Sequence, residues 1–419
     1  MKTLKAVSAL AALVSFAHSA SAQQPNASAA AFGMAGNYSA AASGYDAVTW
    51  NPANLGLATP AFSLNLLTIG GVTGLAPVKL SDINVYAGKL IPSSAKEAWL
   101  QSIGSGMERG RLDGGLSIVA LSIGHLAFQL GASGTGQATL NQDAAEALLF
   151  GNAGRTGTPK SLTLNGSSAL GSTFGTGAVS FGIPVSHGDH GEVFSIGVTG
   201  KYVVGLAMGR AQDNGSQVTV NNINVQFPVI YTDSASIGNS GSGLGVDVGL
   251  AWSNTGTTFS ATARNVVNTF AWSTSSLRSR VGSFTFDGTT PNRGSFNAAP
   301  YASAPQVMRT AIEAEKFQPE LAAGVAHRAG SLLLTADASQ RIGDGIDIGP
   351  KMHAGVGAEF TGLPLLSLRA GAAVISDGFQ AAGGVGLHLG PVELGVGVST
   401  RSRNSGQELG AMVSLISIR

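Results

Sequence analysis

The stretch Val392-Glu393-Leu394-Gly395-Val396-Gly397-Val398-Ser399 decides the fold class. In an extended chain, successive side chains point to opposite faces. Val392, Leu394, Val396 and Val398 therefore share one face, and Glu393, Gly395, Gly397 and Ser399 share the other. A soluble β-sandwich would carry lysine, glutamate and threonine on its outer face and large apolar residues inside. Here the polar face is small instead. Glycine is poor in strands, so its repetition needs a reason, and the tight interior of a barrel supplies one.

The same alternation recurs elsewhere. Met352, Ala354, Val356, Ala358 and Phe360 oppose His353, Gly355, Gly357 and Glu359. Val246, Val248, Leu250 and Trp252 oppose Asp247, Gly249 and Ala251, while Phe259, Ala261 and Ala263 oppose Ser260, Thr262 and Arg264. Strands are expected near 61–69, 83–90, 115–123, 124–132, 175–183, 192–204, 217–227, 243–253, 257–265, 319–328, 330–339, 351–360, 365–375, 379–389, 391–400 and 407–418. No fixed repeat period supports a solenoid. The expected class is all-β, a transmembrane antiparallel β-barrel, for which single bacterial chains use even strand numbers.

Composition agrees. Charged residues are 11% of the chain, against about 25% in a soluble domain, and mean hydropathy is +0.22. The chain has 59 glycines without a collagen period and no cysteine, so no disulfide framework holds it. A net charge of +1 without a basic cluster gives no argument for a nucleic-acid partner. Residues 1–22 read as a cleaved secretory signal: Lys2 and Lys5, an apolar stretch over 6–17, then Ala20-Ser21-Ala22. That apolar stretch is too short to span a membrane as a helix, which needs roughly 20 residues.

Three stretches interrupt the strands. Residues 93–110 carry a short helical pattern with Ser93 or Ser94 as N-cap. Residues 133–174, around a helical Asp143 to Phe150, and 266–318, with room for an extra hairpin, read as long loops of the kind that lie on the extracellular side.

Residues 31–57, AFGMAGNYSAAASGYDAVTWNPANLGL, precede the first strand. They carry Gly33, Gly36, an Ala/Ser-rich run, and Trp50-Asn51-Pro52-Ala53. Pro52 fixes φ and pushes Asn51 out of the α region, which suits a sharp turn. This segment resembles the N-terminal signature of the outer-membrane superfamily that includes the long-chain fatty acid (FadL-type) transporters and the PorV-type proteins. Residues 82–117, 243–272 with the Arg264-Asn265 pair, and 319–399 are similar to it as well. The resemblance implies about fourteen strands over residues 61–419 and a plug, or hatch, over residues 23–60. It makes Gly33, Gly36, Trp50, Asn51, Pro52 and Ala53 the gate candidates. It also implies outer-membrane lipid as surroundings and a Gram-negative-type outer membrane as location. The last strand ends Leu415-Ile416-Ser417-Ile418-Arg419, without the closing aromatic usual in such barrels.

No catalytic constellation stands out, and no cofactor is implied. His187-Gly188-Asp189-His190 has metal-like residue types but reads as a polar turn between strands. Gly241-Ser242-Gly243 lacks the strand-turn-helix setting of a nucleophile. Lys201, Asp247, Arg264, Asp337, His353, Glu359, Arg369, His388 and Glu393 fall on the small face and are assigned to the lumen, since a lipid-facing Arg or Lys at mid-membrane costs about 2–4 kcal/mol. Their mixed signs suggest bracing pairs.

Two functions fit. One is a passive channel for small hydrophobic compounds such as fatty acids. The other, as in the PorV branch, is a scaffold or shuttle of a surface-secretion or motility system, with a large protein partner. A lumen that is apolar beside the plug and laterally open favours the channel; one filled by paired charges counts against it. An outer-membrane enzyme ranks last and would require a Ser/His pair on one barrel face.

Overall fold

The computed structural model describes residues 28–57, 60–75, 78, 80–103, 107–151, 155–158, 160–286, 291–293, 296–346, 348–403 and 406–418. Residues 1–22, read above as a secretory signal, and residues 23–27 of the expected plug lie outside them. Fourteen strands form the wall: β1 Phe62–Leu75, β2 Met107–Ile123, β3 Leu126–Asn141, β4 Ser168–His187, β5 Val193–Gln212, β6 Gly241–Asn254, β7 Thr257–Asn268, β8 Glu320–Ala329, β9 Leu332–Arg341, β10 Met352–Phe360, β11 Leu366–Ile375, β12 Gly378–Leu389, β13 Val392–Arg403 and β14 Gly406–Ile418. Each pairs antiparallel with the next. β14 returns to β1, with Leu64 opposite Ile418 and Thr73 opposite Leu409, so the sheet closes and has no edge.

The alternation sets the inside and the outside. Val398 on β13 is 57% exposed on the outer wall, while its neighbour Ser399 is 6% exposed. Inward positions are small and polar, as at Ser63, Asn65, Thr68, Ser117, Ser122, Ser180 and Thr199, all buried.

Two expected strands are not in the wall. The first half of 83–90 ends helix Leu80–Tyr86 and the second half is a turn; Leu80, Ile83 and Tyr86 recur at the helical spacing of three, and the short apolar run is ambiguous by period alone. Residues 217–227 divide into Gln217–Val218 and Ile223–Gln226, which join a small separate sheet with Leu162–Thr163, Ser283–Phe286 and Pro291–Arg293. Conversely, β3 runs on to Asn141 and β4 begins at Ser168, inside the stretch read as a loop. There Gly134 and Gly136 face outward while Ser133 and Thr135 face in, so both faces are small and the polarity signal fades.

At one end the strands meet in short turns, such as 124–125, 188–192, 255–256 and 390–391. The other end carries the long connections 76–106, 142–167, 213–240 and 269–319. The first holds a helix over Ser93–Ile103 and the second one over Gln142–Phe150, and they pack through Leu100, Ile103 and Ala145. The last holds helix α1, Gln306–Glu313, whose Met308 and Ile312 are buried. With Phe174, Phe270, Trp272, Tyr301 and Phe317 they form an apolar cap over part of the long-loop end.

Residues 28–57 fill the lumen as a compact plug of short helical turns, Ala29–Gly33, Gly44–Asp46, Ala47–Trp50 and Pro52–Gly56. Most of its residues are buried and none is exposed.

Candidate functional site: the plugged lumen

Polar side chains seat the plug around the whole circumference. Ser414 on β14 accepts from the Ala29 amide at 3.1 Å. Asn37 donates through Nδ2 to the Val356 carbonyl at 2.9 Å on β10, and Thr335 on β9 donates to the Asn37 carbonyl at 2.7 Å. Asp337 accepts from both the amide and the hydroxyl of Ser39. His353 Nε2 lies 2.9 Å from the Ala35 carbonyl oxygen.

The Trp50-Asn51-Pro52-Ala53 turn is locked to β5 and β6. Asn51 is extended at φ −157°, as the residue before proline should be. Its Oδ1 accepts from the Ala53 amide at 3.0 Å, and its Nδ2 donates to the Leu250 carbonyl at 2.9 Å. Ser195 on β5 donates to the Ala53 carbonyl at 2.7 Å. This close seat depends on glycine: a Cβ on Gly197 would overlap Pro52 and Ala53, and one on Gly249 would overlap the Asn51 side chain. Gly33 and Gly384 touch across the plug–wall interface in the same way, while Gly36 turns the chain at φ +83°. Lumenal glycine is thus the room into which plug backbone fits.

The lumenal charges form two groups. Near the short-turn end, Arg369 Nη2 meets Glu359 at 2.8 Å and Glu393 at 2.7 Å, with Arg369 side chain 1% exposed. On the opposite wall, Lys201 Nζ donates to Asp247 at 2.6 Å and to Asn265 Oδ1 at 2.5 Å. The Asn265 amide also donates to Asp247 at 2.6 Å. Asn265 stands at φ +62°, in the bulge where Val246 opposite Val267 gives way to Val248 opposite Ala263. The neighbouring Arg264 pairs with Glu320 at 2.5 Å, donates to the Trp50 carbonyl at 3.1 Å, and lies 5.7 Å from the Trp50 ring. Plug and bulge are therefore joined at Trp50.

Sequence reading missed Arg111, Asp113, Glu320, Arg401 and Glu408. Arg111 pairs with Asp113 at 2.7 Å, and Arg401 lies 3.6 Å from Glu408. All five sit at or near the long-loop ends of their strands. Strand limits set too short hide Arg111, Asp113 and Arg401; the same alternation carried to the true ends would expose them.

Between plug and long-loop end lies a cavity of about 250 Å³. Phe32, Val72, Ile348 and Met412 give it apolar walls, and the Lys201–Asp247 and Arg264–Glu320 pairs line another part. The lumen is thus both partly apolar and partly braced by paired charges. Gly70, Gly114, Gly115 and Ser133 border this cavity and also an apolar groove on the outer wall, between Ile69, Leu112, Leu116 and Leu206. Gly70 faces Gly115 and Gly114 faces Gly134 across β1–β2–β3, so little but backbone divides lumen from exterior there.

Ser367 Oγ and His388 Nε2 are 2.6 Å apart on β11 and β12. The residue types suit nucleophilic catalysis, yet Ser367 is 1% exposed and neither residue lines the lumen cavity. The carboxylate across from His388, Glu393, is engaged by Arg369. His187 ends β4 and His190 lies in the turn after it, both exposed, and among the described residues no group of three or more His, Cys, Asp or Glu is placed to hold a metal.

No family model and no curated protein matches the sequence. Solved structures do resemble the fold. The toluene transporter TodX of P. putida superposes with a TM-score of 0.50 at 12% identity, over 93% of this chain and 98% of that one. The CymD monoaromatic hydrocarbon channel gives 0.47 at 11% identity, over 94% and 96%. The likeness to TodX is one of fold, and in this chain that fold is a closed fourteen-strand barrel with an N-terminal plug.

Proposed function

We propose that this chain, having the fold of a FadL-type plugged barrel, is a passive outer-membrane channel for compact hydrophobic compounds. The long loops then face the medium and the short turns the periplasm. The observation that carries the reading is the shared glycine wall of β1–β3, with a small cavity on one side and an apolar groove on the other. A hydrophobic solute crossing there leaves for the bilayer without passing through water. The cavity volume of about 250 Å³ lies below the roughly 300–1,000 Å³ of sites for drug-sized ligands. It suits a molecule the size of toluene, the compound named for TodX, better than an extended acyl chain. The charges beside it are consumed in pairs and do not require a charged solute.

Gly114→Leu tests this, because a Cβ at Gly114 meets nothing nearer than 4.0 Å and the barrel should tolerate it. Toluene uptake by cells or proteoliposomes should fall at least about threefold, with the heat-dependent gel shift of the folded barrel unchanged. Unchanged uptake would remove the lateral route. Wild-type protein that gives no uptake above empty vesicles would remove the channel, and enrichment of a large secretion component on purification would then favour the scaffold.

A further inference from the structure

The apolar cap covers only part of the long-loop end. The connection between β9 and β10 passes beside it. From Arg341 this segment passes Ile346, which is buried in the cap, and Ile348, which packs against it. It then runs through Gly349, at φ +76°, and Pro350 to Lys351. Two guanidinium groups hold it. Arg341 Nη1 donates to the Ile348 carbonyl at 3.2 Å, and Arg111 Nη2 donates to the Gly349 carbonyl at 3.3 Å. Arg111 stands on β2 and Arg341 on β9, half the circumference apart in a ring of fourteen, so a short connection is pinned from opposite walls.

What lies above and below this strap differs in chemistry. Gly349 and Pro350 line the lumen cavity, and both also line an outer vestibule of about 450 Å³. That vestibule is walled by charged groups, among them Arg403, Asp377 and Glu408. Arg403 donates to Asp377 at 3.0 Å and its Nε lies 3.0 Å from Glu408. Gly349 and Pro350 are the residues common to the linings of the two spaces.

From this we infer that the Ile348–Lys351 strap is the axial gate of the lumen, and that Arg111 and Arg341 are the positioning residues that keep it shut. Main-chain carbonyls held by two arginines can be released without unpairing any strand of the wall. The charged vestibule makes the medium-facing side of this gate polar, whereas the glycine wall opens only to apolar surroundings. The two exits of one cavity therefore differ in what they admit.

The gate can be tested without any transported ligand, so its failure is distinct from failure of the channel reading. The chain has no cysteine. Ser339 lines the cavity below the strap, and Ser339→Cys places a single thiol there. In intact cells, its modification by a membrane-impermeant cationic methanethiosulfonate reagent should be slow. Arg111→Met with Arg341→Met should speed it at least about tenfold, and Arg111→Lys with Arg341→Lys should restore most of the slow rate. Ile348→Gly with Pro350→Gly, which leaves both arginines in place, should also speed it. Heat-dependent gel mobility verifies folding in each case. Equal rates in folded wild-type, Met and Gly variants would overturn the gate. Acceleration in the Gly variant but not in the Met variant would overturn the role given to the arginines.

Discussion

Lys201 shows how a single side chain can be indispensable and yet replaceable together with its partner. Its ammonium is buried among Asp247 and Asn265 in a wall that otherwise holds small neutral groups. Removing one member of a buried pair typically costs about 3–5 kcal/mol, because the other charge stays behind unpaired, whereas replacing both by apolar groups can be nearly neutral. Lys201→Met should therefore lower the unfolding midpoint of the barrel in urea far more than Lys201→Met with Asp247→Leu, and double-mutant-cycle measurements will read the difference. Equal loss in both would show that Asn265 in its bulge, not the charge balance, needs the lysine. At this scale alternation alone puts Lys201, Asp247, Arg264, Arg369 and Glu393 on the small face of their strands. What alternation does not supply is partner identity. Asn265 joins Lys201 only because the bulge turns it inward, and nothing in the period of the chain announces a positive φ at an asparagine. Gly197 teaches the same point: glycines in strands signal a close approach, but only the folded plug shows that Pro52 and Ala53 are what approaches.

The elements of the long-loop end respond to a different physics, since they are packed by rings and carry a half-buried acid. Phe174 lies 4.7 Å from Phe317 and 5.4 Å from Trp272, centroid to centroid, at the base of the cap. Trp272 Nε1 donates to Glu315 at 3.0 Å, and Arg210 reaches the other oxygen at 3.2 Å. Burial raises the Glu315 carboxyl above its ordinary 4.5, against the opposing pull of Arg210 and Trp272. The folded cap then holds that proton more tightly than the unfolded loop does. Its contribution to stability is full below about 4.5 and declines as pH rises through the raised value. Limited proteolysis of the 269–319 connection should accordingly speed up as pH is raised from 4 toward neutrality, and Glu315→Gln should flatten that dependence. A pH-independent rate in the wild type would contradict the assignment. The cap was only half visible in sequence: its aromatics stand out in 266–318, but their partners Phe174 and Val203 belong to strands far away in the chain.

For the molecule as a whole, closure explains what composition hinted at. A chain with 11% charge and no cysteine can be stable if every strand finds two neighbours, and here β14 finds β1. Alternation by itself offers sixteen segments, and two of them fall outside the wall; the number fourteen and the plug followed from the family resemblance, and the closed sheet around residues 28–57 agrees with both. The cavity, its glycine wall and the strap were not legible, because each is made by residues from strands and loops distant in sequence.

The amide of Ala29, near the start of the plug, ends on Ser414, separated by 385 residues. The wall glycines against Ala29, Gly395 and Gly397, also belong to one of the last strands. The first part of the described chain to be made therefore has no finished seat until the last part is in place, which is the slowest kind of contact to form. The plug must wait, unfolded or chaperoned, while the wall assembles around it. In a pulse-protease refolding time course, protection of residues 28–57 should appear after the β1–β14 seam, and never before it.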